Sequence, residues 1–159
     1  MQDATSISDL PDREKLLAMS GFDFMCAIRD GAIPRPPIAR VLNFHIAEVL
    51  DGEVAFVGTP KFDHTNPMGT LHGGWYGAML DSCMSCAVMT KVPKGSIYTT
   101  LEYKVNITRS IPMGMEVAAR GWVQHVGRST GVAAGEIRSV KDGKIYATGS
   151  TTCIIMKIH

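Results

Sequence analysis

The sequence lacks an excess of charge of either sign. Sixteen Lys and Arg stand against fifteen Asp and Glu, a formal net charge of +1. That balance offers no electrostatic basis for binding nucleic acid or an anionic membrane surface. Uninterrupted apolar runs of roughly eighteen residues are missing as well, so no transmembrane helix is expected. The opening stretch MQDATSISDLPDREK is polar and acidic, the opposite of a signal or transit peptide. Cysteine is scarce: Cys26, Cys83, Cys86 and Cys153 are too few for a disulfide framework in 159 residues. There is no internal repeat, no low-complexity tract and no Walker-type phosphate loop. Together these absences set the expectation of a reduced, cytoplasmic protein with neither nucleic acid nor membrane as a partner.

What is present is a globular composition, 45 % apolar and 19 % charged. A slight apolar lean of this kind suits an oligomer with buried subunit contacts. The length fits one domain with a sizeable core. Residues from Asp12 to about Ala32 read as one helix, with Leu16, Leu17, Met19, Phe22, Met25, Cys26 and Ile28 as its apolar positions and Gly31 as a stop. Pro34, Pro36 and Pro37 then predict an extended linker. From Ala39 the pattern turns to strands, two of them flanking the hairpin signal Asp51-Gly52. A loop from Pro60 to Leu71 leads into a long helix that fades near Val92-Pro93. Four β-rich runs follow, broken at Pro112-Met113-Gly114, Gly127-Arg128 and Asp142-Gly143. The plan is α+β: six antiparallel strands around one central helix, which the sheet would bury on most of its surface.

That helix carries the chemistry. From Gly73 onward, Trp75, Met79, Cys83 and Cys86 form one apolar stripe, and Tyr76, Leu80, Met84 and Ala87 a second. Gly73, Gly77, Asp81 and Ser85 form the single small or polar stripe, where another backbone or a ligand could come close. Asp81 is a poor helix former in mid-helix and costly to bury without partners. It is either a carboxylate satisfied by its surroundings or a base or nucleophile in an apolar cleft. His72-Gly73-Gly74 opens the helix, where unpaired amides and the positive end of the macrodipole meet. Two glycines there either permit a tight turn or let a developing oxyanion approach the amides. Gly73 and Asp81 lie about 12 Å apart along a helix rising 1.5 Å per residue. They cannot both reach one carbonyl from the same chain. A catalytic role for both requires a second subunit, and a two-fold dimer would hold two such sites.

Asn66, Gly69, His72, Gly73, Gly74 and Asp81, at this spacing, resemble the motif of the hot-dog-fold acyl-CoA thioesterases of the phenylacetyl-CoA thioesterase (PaaI-like) group. LEYKVNITRSIPMG resembles that family's third strand and turn, and VGRSTGVAAGEIRSVKDGKIYATGSTT its closing strands. The resemblance covers roughly Arg40 to Ile155. It implies a hot-dog domain over residues 39–159 behind an N-terminal helix and proline-rich linker over 1–38. It further implies a homodimer or homotetramer with acyl-CoA sites between subunits, and hydrolysis without metal or cofactor. By position, Asp81 would activate water or attack the thioester carbon, and the Gly73 amide would polarise the carbonyl. His72 would hold the helix start, and Asn66 would position water or thioester. Gly74, Gly77, Glu102, Arg128 and Ser129 are the candidate substrate contacts. Where some relatives place Ser or Thr early in the third strand, this chain aligns Glu102, with Thr99 and Thr100 offset. Glu102 is therefore either a second carboxylate at the site or an exposed strand residue.

Other constellations carry less. Cys83-x-x-Cys86 falls mid-helix, not at a helix start that would stabilise a thiolate, and no second pair accompanies it. His64, His72 and Asp63 match no metal-binding spacing. Arg109, Arg128 and Lys104 are scattered cations that could meet coenzyme A phosphates. Trp75, Tyr76, Met79 and Met84 suggest an apolar acyl pocket, though core packing explains them equally well. Two rival functions stay open: a hydratase or dehydratase on the same fold, and a non-hydrolytic acyl-CoA-binding module.

Overall fold

The computed structural model describes residues 2–158. Its centre is helix α4, Gly73–Met89, and every strand touches or surrounds it. Six strands form one antiparallel sheet: β1 Phe44–Leu50, β2 Glu53–Gly58, β3 Ser96–Ile107, β4 Val117–Val126, β5 Thr130–Ser139 and β6 Ile145–Lys157. Their order across the sheet is β1-β2-β4-β5-β6-β3. Hairpins join β1 to β2, β4 to β5 and β5 to β6. The first turns at Asp51-Gly52, with Gly52 at φ 83°, as the sequence signals.

Helix α4 lies in the concave face of the sheet. Met79, Leu80, Cys83, Met84, Ala87 and Val88 have no exposed surface. Close packing against the sheet depends on Gly121 of β4, whose missing Cβ would sit 2.4 Å from the backbone carbonyl of Cys83. Two further anchors fix the helix N-terminal half. Trp75 Nε1 donates to the Leu42 carbonyl, and Tyr76 Oη accepts from the Ile111 amide. Trp75, Tyr76, Met79 and Met84 all join the hydrophobic core, and the first two also anchor loops.

The N-terminal segment departs from the expected single helix. It forms two, α1 Arg13–Ala18 and α2 Gly21–Arg29. The break falls at Met19-Ser20 because the Ser20 hydroxyl accepts the Asp23 amide and starts a new helix. The proline stretch is extended only as far as Pro36. Arg35 bridges to Asp3 there, with an ion pair of 2.6 Å. Pro37 then opens a short helix, α3, Pro37–Val41. Proline suits the first helical position, where its missing N–H would have no partner anyway. The strand expected from Ala39 accordingly begins at Phe44, after Asn43 turns the chain at φ 56°. Helix α3 crosses the boundary expected at residues 38–39, and Met25 and Ala39 join the same core as the sheet.

Candidate active site

The start of α4 is built by the loop before it. Asn66 Oδ1 accepts the amides of Met68 and Thr70, and its Nδ2 donates to the Thr70 hydroxyl. The side-chain amide of Asn66 is thereby spent on closing its own turn, with Gly69 at φ 75° completing it. His64, buried behind this loop, accepts the Lys61 amide at Nδ1, so its Nε2 carries the proton donated to the Val41 carbonyl. His72 is the N-cap of α4, and its Nδ1 accepts the Gly74 amide at 2.9 Å. The Gly73 amide is left without an acceptor among the described residues. It is an exposed N–H at the positive end of a seventeen-residue helix.

Asp81 sits two turns further on, half-buried. The Thr100 hydroxyl of β3 donates to its Oδ1 at 3.0 Å. Burial pushes the Asp81 carboxyl above the usual carboxylate range, and the Thr100 hydrogen bond partly offsets this. No ion pair holds it among the described residues. Burial makes the carboxylate a stronger base than an exposed one, as a group taking a proton from water requires.

Thr100, rather than Glu102, is the β3 residue at Asp81. A bulge explains this: opposite β6, Thr100 pairs with Cys153 and Glu102 with Thr152, leaving Leu101 as an extra residue. The bulge switches which alternate residues face the helix. Tyr98 and Thr100 face it before the bulge, and Tyr103 and Ile107 after it, against Gly77 and Gly73. Glu102 is exposed, and its carboxylate accepts the Thr152 hydroxyl. Arg128 and Ser129 are exposed in the turn between β4 and β5, away from the helix start.

The two cysteines of α4 are not poised for thiolate chemistry. Cys83 is fully buried, and burial pushes its thiol far up. Cys86 is pushed up to about 12 by the same cause.

A six-stranded antiparallel sheet around one long helix is the hot-dog fold, and on that helix the chain carries the Asp81 carboxylate and the Gly73 amide. The thioesterase superfamily model matches residues 68–146, which span both features, and the chain belongs to that superfamily. Its structure resembles a phenylacetic acid degradation-related protein from Ralstonia eutropha JMP134, with TM-score 0.75 and 27 % identity over 82 % of this chain and 98 % of that one. It also resembles the phenylacetic acid degradation protein PaaI of Thermus thermophilus, solved as a mutant. That match has TM-score 0.67 and 27 % identity, covering 74 % of this chain and 97 % of the other. In sequence it is 26 % identical to mouse (Mus musculus) acyl-coenzyme A thioesterase 13 over 89 residues, or 56 % of this chain. The matched part spans 63 % of the mouse protein's length.

Proposed function

We propose that this protein hydrolyses acyl- or aryl-CoA thioesters to free acid and coenzyme A, at sites shared between two subunits. The observation that carries the reading is the placement of Asp81 and the Gly73 amide on one helix, each chemically ready and too far apart to act together. A second copy supplies the missing half. Strand β3 is a twelve-residue sheet edge bearing exposed Leu101, Tyr103 and Ile107. An unpaired apolar edge of that length favours pairing with another strand. Gly77, midway between Gly73 and Asp81, touches Tyr103, which lies midway between Thr100 at one end and Ile107 at the other. A two-fold axis near Gly77 and Tyr103 would exchange Gly73 with Asp81, bringing the amide of one subunit to the carboxylate of its partner.

In that site the Gly73 N–H and the helix macrodipole polarise the thioester carbonyl. Asp81 accepts a proton from water as the water oxygen bonds to the carbonyl carbon. Collapse of the tetrahedral oxyanion breaks the C–S bond, and the proton passes to the departing sulfur. In the covalent variant Asp81 itself bonds to the carbonyl carbon, the thiolate leaves, and water then cleaves the mixed anhydride. Thr100 orients the carboxylate, His72 keeps Gly74 occupied while freeing Gly73, and Asn66 holds the loop in shape. Glu102, Arg128 and Ser129 stand as contacts for the coenzyme A portion at the exposed rim, and Gly74 and Gly77 as close approaches along the helix. Among the described residues, no helix is long and apolar enough to cross a membrane. The four free thiols suit a reduced cytoplasm, where the protein would act as a dimer or a dimer of dimers.

Thiol release from a panel of CoA thioesters tests the reading, with Asp81→Asn and Asp81→Ala beside the wild type. We expect kcat to fall by about 10²–10⁴-fold in both. Activity surviving both changes would remove Asp81 from the mechanism. Water addition to an enoyl thioester without thiol release would instead identify a hydratase, and tight binding without turnover a carrier.

A further inference from the structure

Along the line Ser82, Cys86 and Met89, helix α4 faces α2, the start of β1 and Tyr98 of β3. Helices α2 and α3 pack on β1 beside this line. The packing there is incomplete. A cavity of about 140 Å³ remains between Phe24, Met25 and Ile28 of α2, the Phe44–Ile46 start of β1, the Ser82 and Cys86 flank, and Tyr98 of β3. Its walls are almost wholly apolar.

Asp81 and Thr100 do not line this cavity, but their neighbours do. Ser82 follows Asp81 in α4, and Cys86 and Tyr98 lie close enough to Asp81 to feel its charge. Tyr98 precedes Thr100 by two residues on the same face of β3, and Thr100 holds Asp81. An acyl group whose carbonyl carbon lies at Asp81 therefore has an apolar space nearby, walled by the neighbours of Asp81 and Thr100. An empty apolar cavity of comparable size, about 150 Å³, takes a benzene ring.

We propose that this cavity is the acyl subsite, and that the N-terminal segment sets its length at about six carbons. The assignment rests on the thioesterase reading. It adds a role for Phe24, Met25 and Ile28, which lie outside the residues that match the superfamily model. Phe24 and Ile28 form a septum. On their far side lies a second apolar hollow lined by Leu10, Leu16 and Ile33, to which the same two side chains also contribute. Removing Phe24 joins the two spaces, and enlarging Ile28 fills the first.

The test is the ratio of kcat/KM among acetyl-, hexanoyl- and decanoyl-CoA, measured on the full-length protein. Wild type should favour hexanoyl over decanoyl. Phe24→Ala should raise the decanoyl-to-hexanoyl ratio tenfold or more, and Ile28→Phe should lower the hexanoyl-to-acetyl ratio by a similar factor, the effect of about a methylene's worth of pocket space. Both ratios within twofold of wild type would make the cavity a packing gap and overturn the assignment while hydrolysis stands. A second arm uses S-hexyl-CoA, a thioether that cannot be hydrolysed, in calorimetric titration. If no thioester is turned over, hydrolysis falls. S-hexyl-CoA binding weakened tenfold by Ile28→Phe would then still support the subsite, and binding unaffected by that change, or absent from wild type, would overturn it.

Discussion

Helix α4 meets two strands of the sheet through a glycine, for opposite reasons. Against β4 the glycine belongs to the strand: Gly121 lets backbone meet backbone, with no side chain able to move aside. Against the edge strand β3 the helix supplies it: Gly77 receives the Tyr103 ring, where an added Cβ would lie 3.3 Å from atoms at the end of a side chain. The first contact is rigid and holds the fold. The second is adaptable, lies at the exposed sheet edge, and runs along the stripe that begins at Gly73 and ends beyond Asp81. The helix is thus clamped against β4 and left available for chemistry towards β3.

Substitutions that separate the two contacts sharpen this contrast. The largest effect is expected at the site itself, in the Asp81 changes described above. Next is Tyr103→Lys, which places a charge where the two-fold axis is proposed. Sedimentation should show a monomer, and thiol release should fall at least a hundredfold while circular dichroism keeps the folded spectrum. Hydrolysis by a monomer would break the shared-site reading. Gly121→Ala should act on the rigid contact, destabilising the fold by about 1–3 kcal/mol or more in urea unfolding because neither backbone can yield. Gly77→Ala should cost clearly less than Gly121→Ala in the same measurement. A Gly77→Ala variant as unstable as Gly121→Ala would erase the distinction between the contacts.

The smallest effects concern pH. Asp81 has a folded-state pKa raised above its unfolded value, so its contribution favours the fold below the ordinary Asp range and is lost as pH rises through the raised value. Asp81→Asn removes that loss, so Tm should exceed that of wild type at pH 7, and the difference should vanish in acid. In thermal melts, a lower Tm at pH 7 would contradict the burial that sets the shift. Thr100→Val deletes the bond that favours the carboxylate and should move the acid limb of the kcat/KM profile upward. An unchanged limb would remove Thr100 from the site.

Much of this was legible from residue order. The span of α4, the Asp51-Gly52 turn, the later strands and the α+β plan follow from local periodicity and turn chemistry, which act within a few residues. The separation of the two half-sites follows from helix rise alone. Residue order aligns Glu102 with the β3 helper position, as a second carboxylate or an exposed strand residue, because a single sequence shows no bulge. One extra residue at Leu101 exchanges the faces of every residue after it, and only the pairing with β6 reveals it. The N-terminal segment was similarly opaque: its apolar positions fit one helix until the Ser20 cap divides them.

By itself the sequence determined that a carboxylate and a glycine-opened helix start lie on one buried helix, about 12 Å apart, because helix geometry is a property of neighbouring residues. Tertiary structure alone decided which hydroxyl reaches Asp81, which amide stays free, and that α2 leaves a cavity beside Ser82 and Cys86. Those outcomes depend on residues far apart in the chain coming together, such as Thr100 bonded to Asp81, or Ile28 and Cys86 lining one cavity. Such contacts are set by register and packing, which no short stretch of sequence encodes.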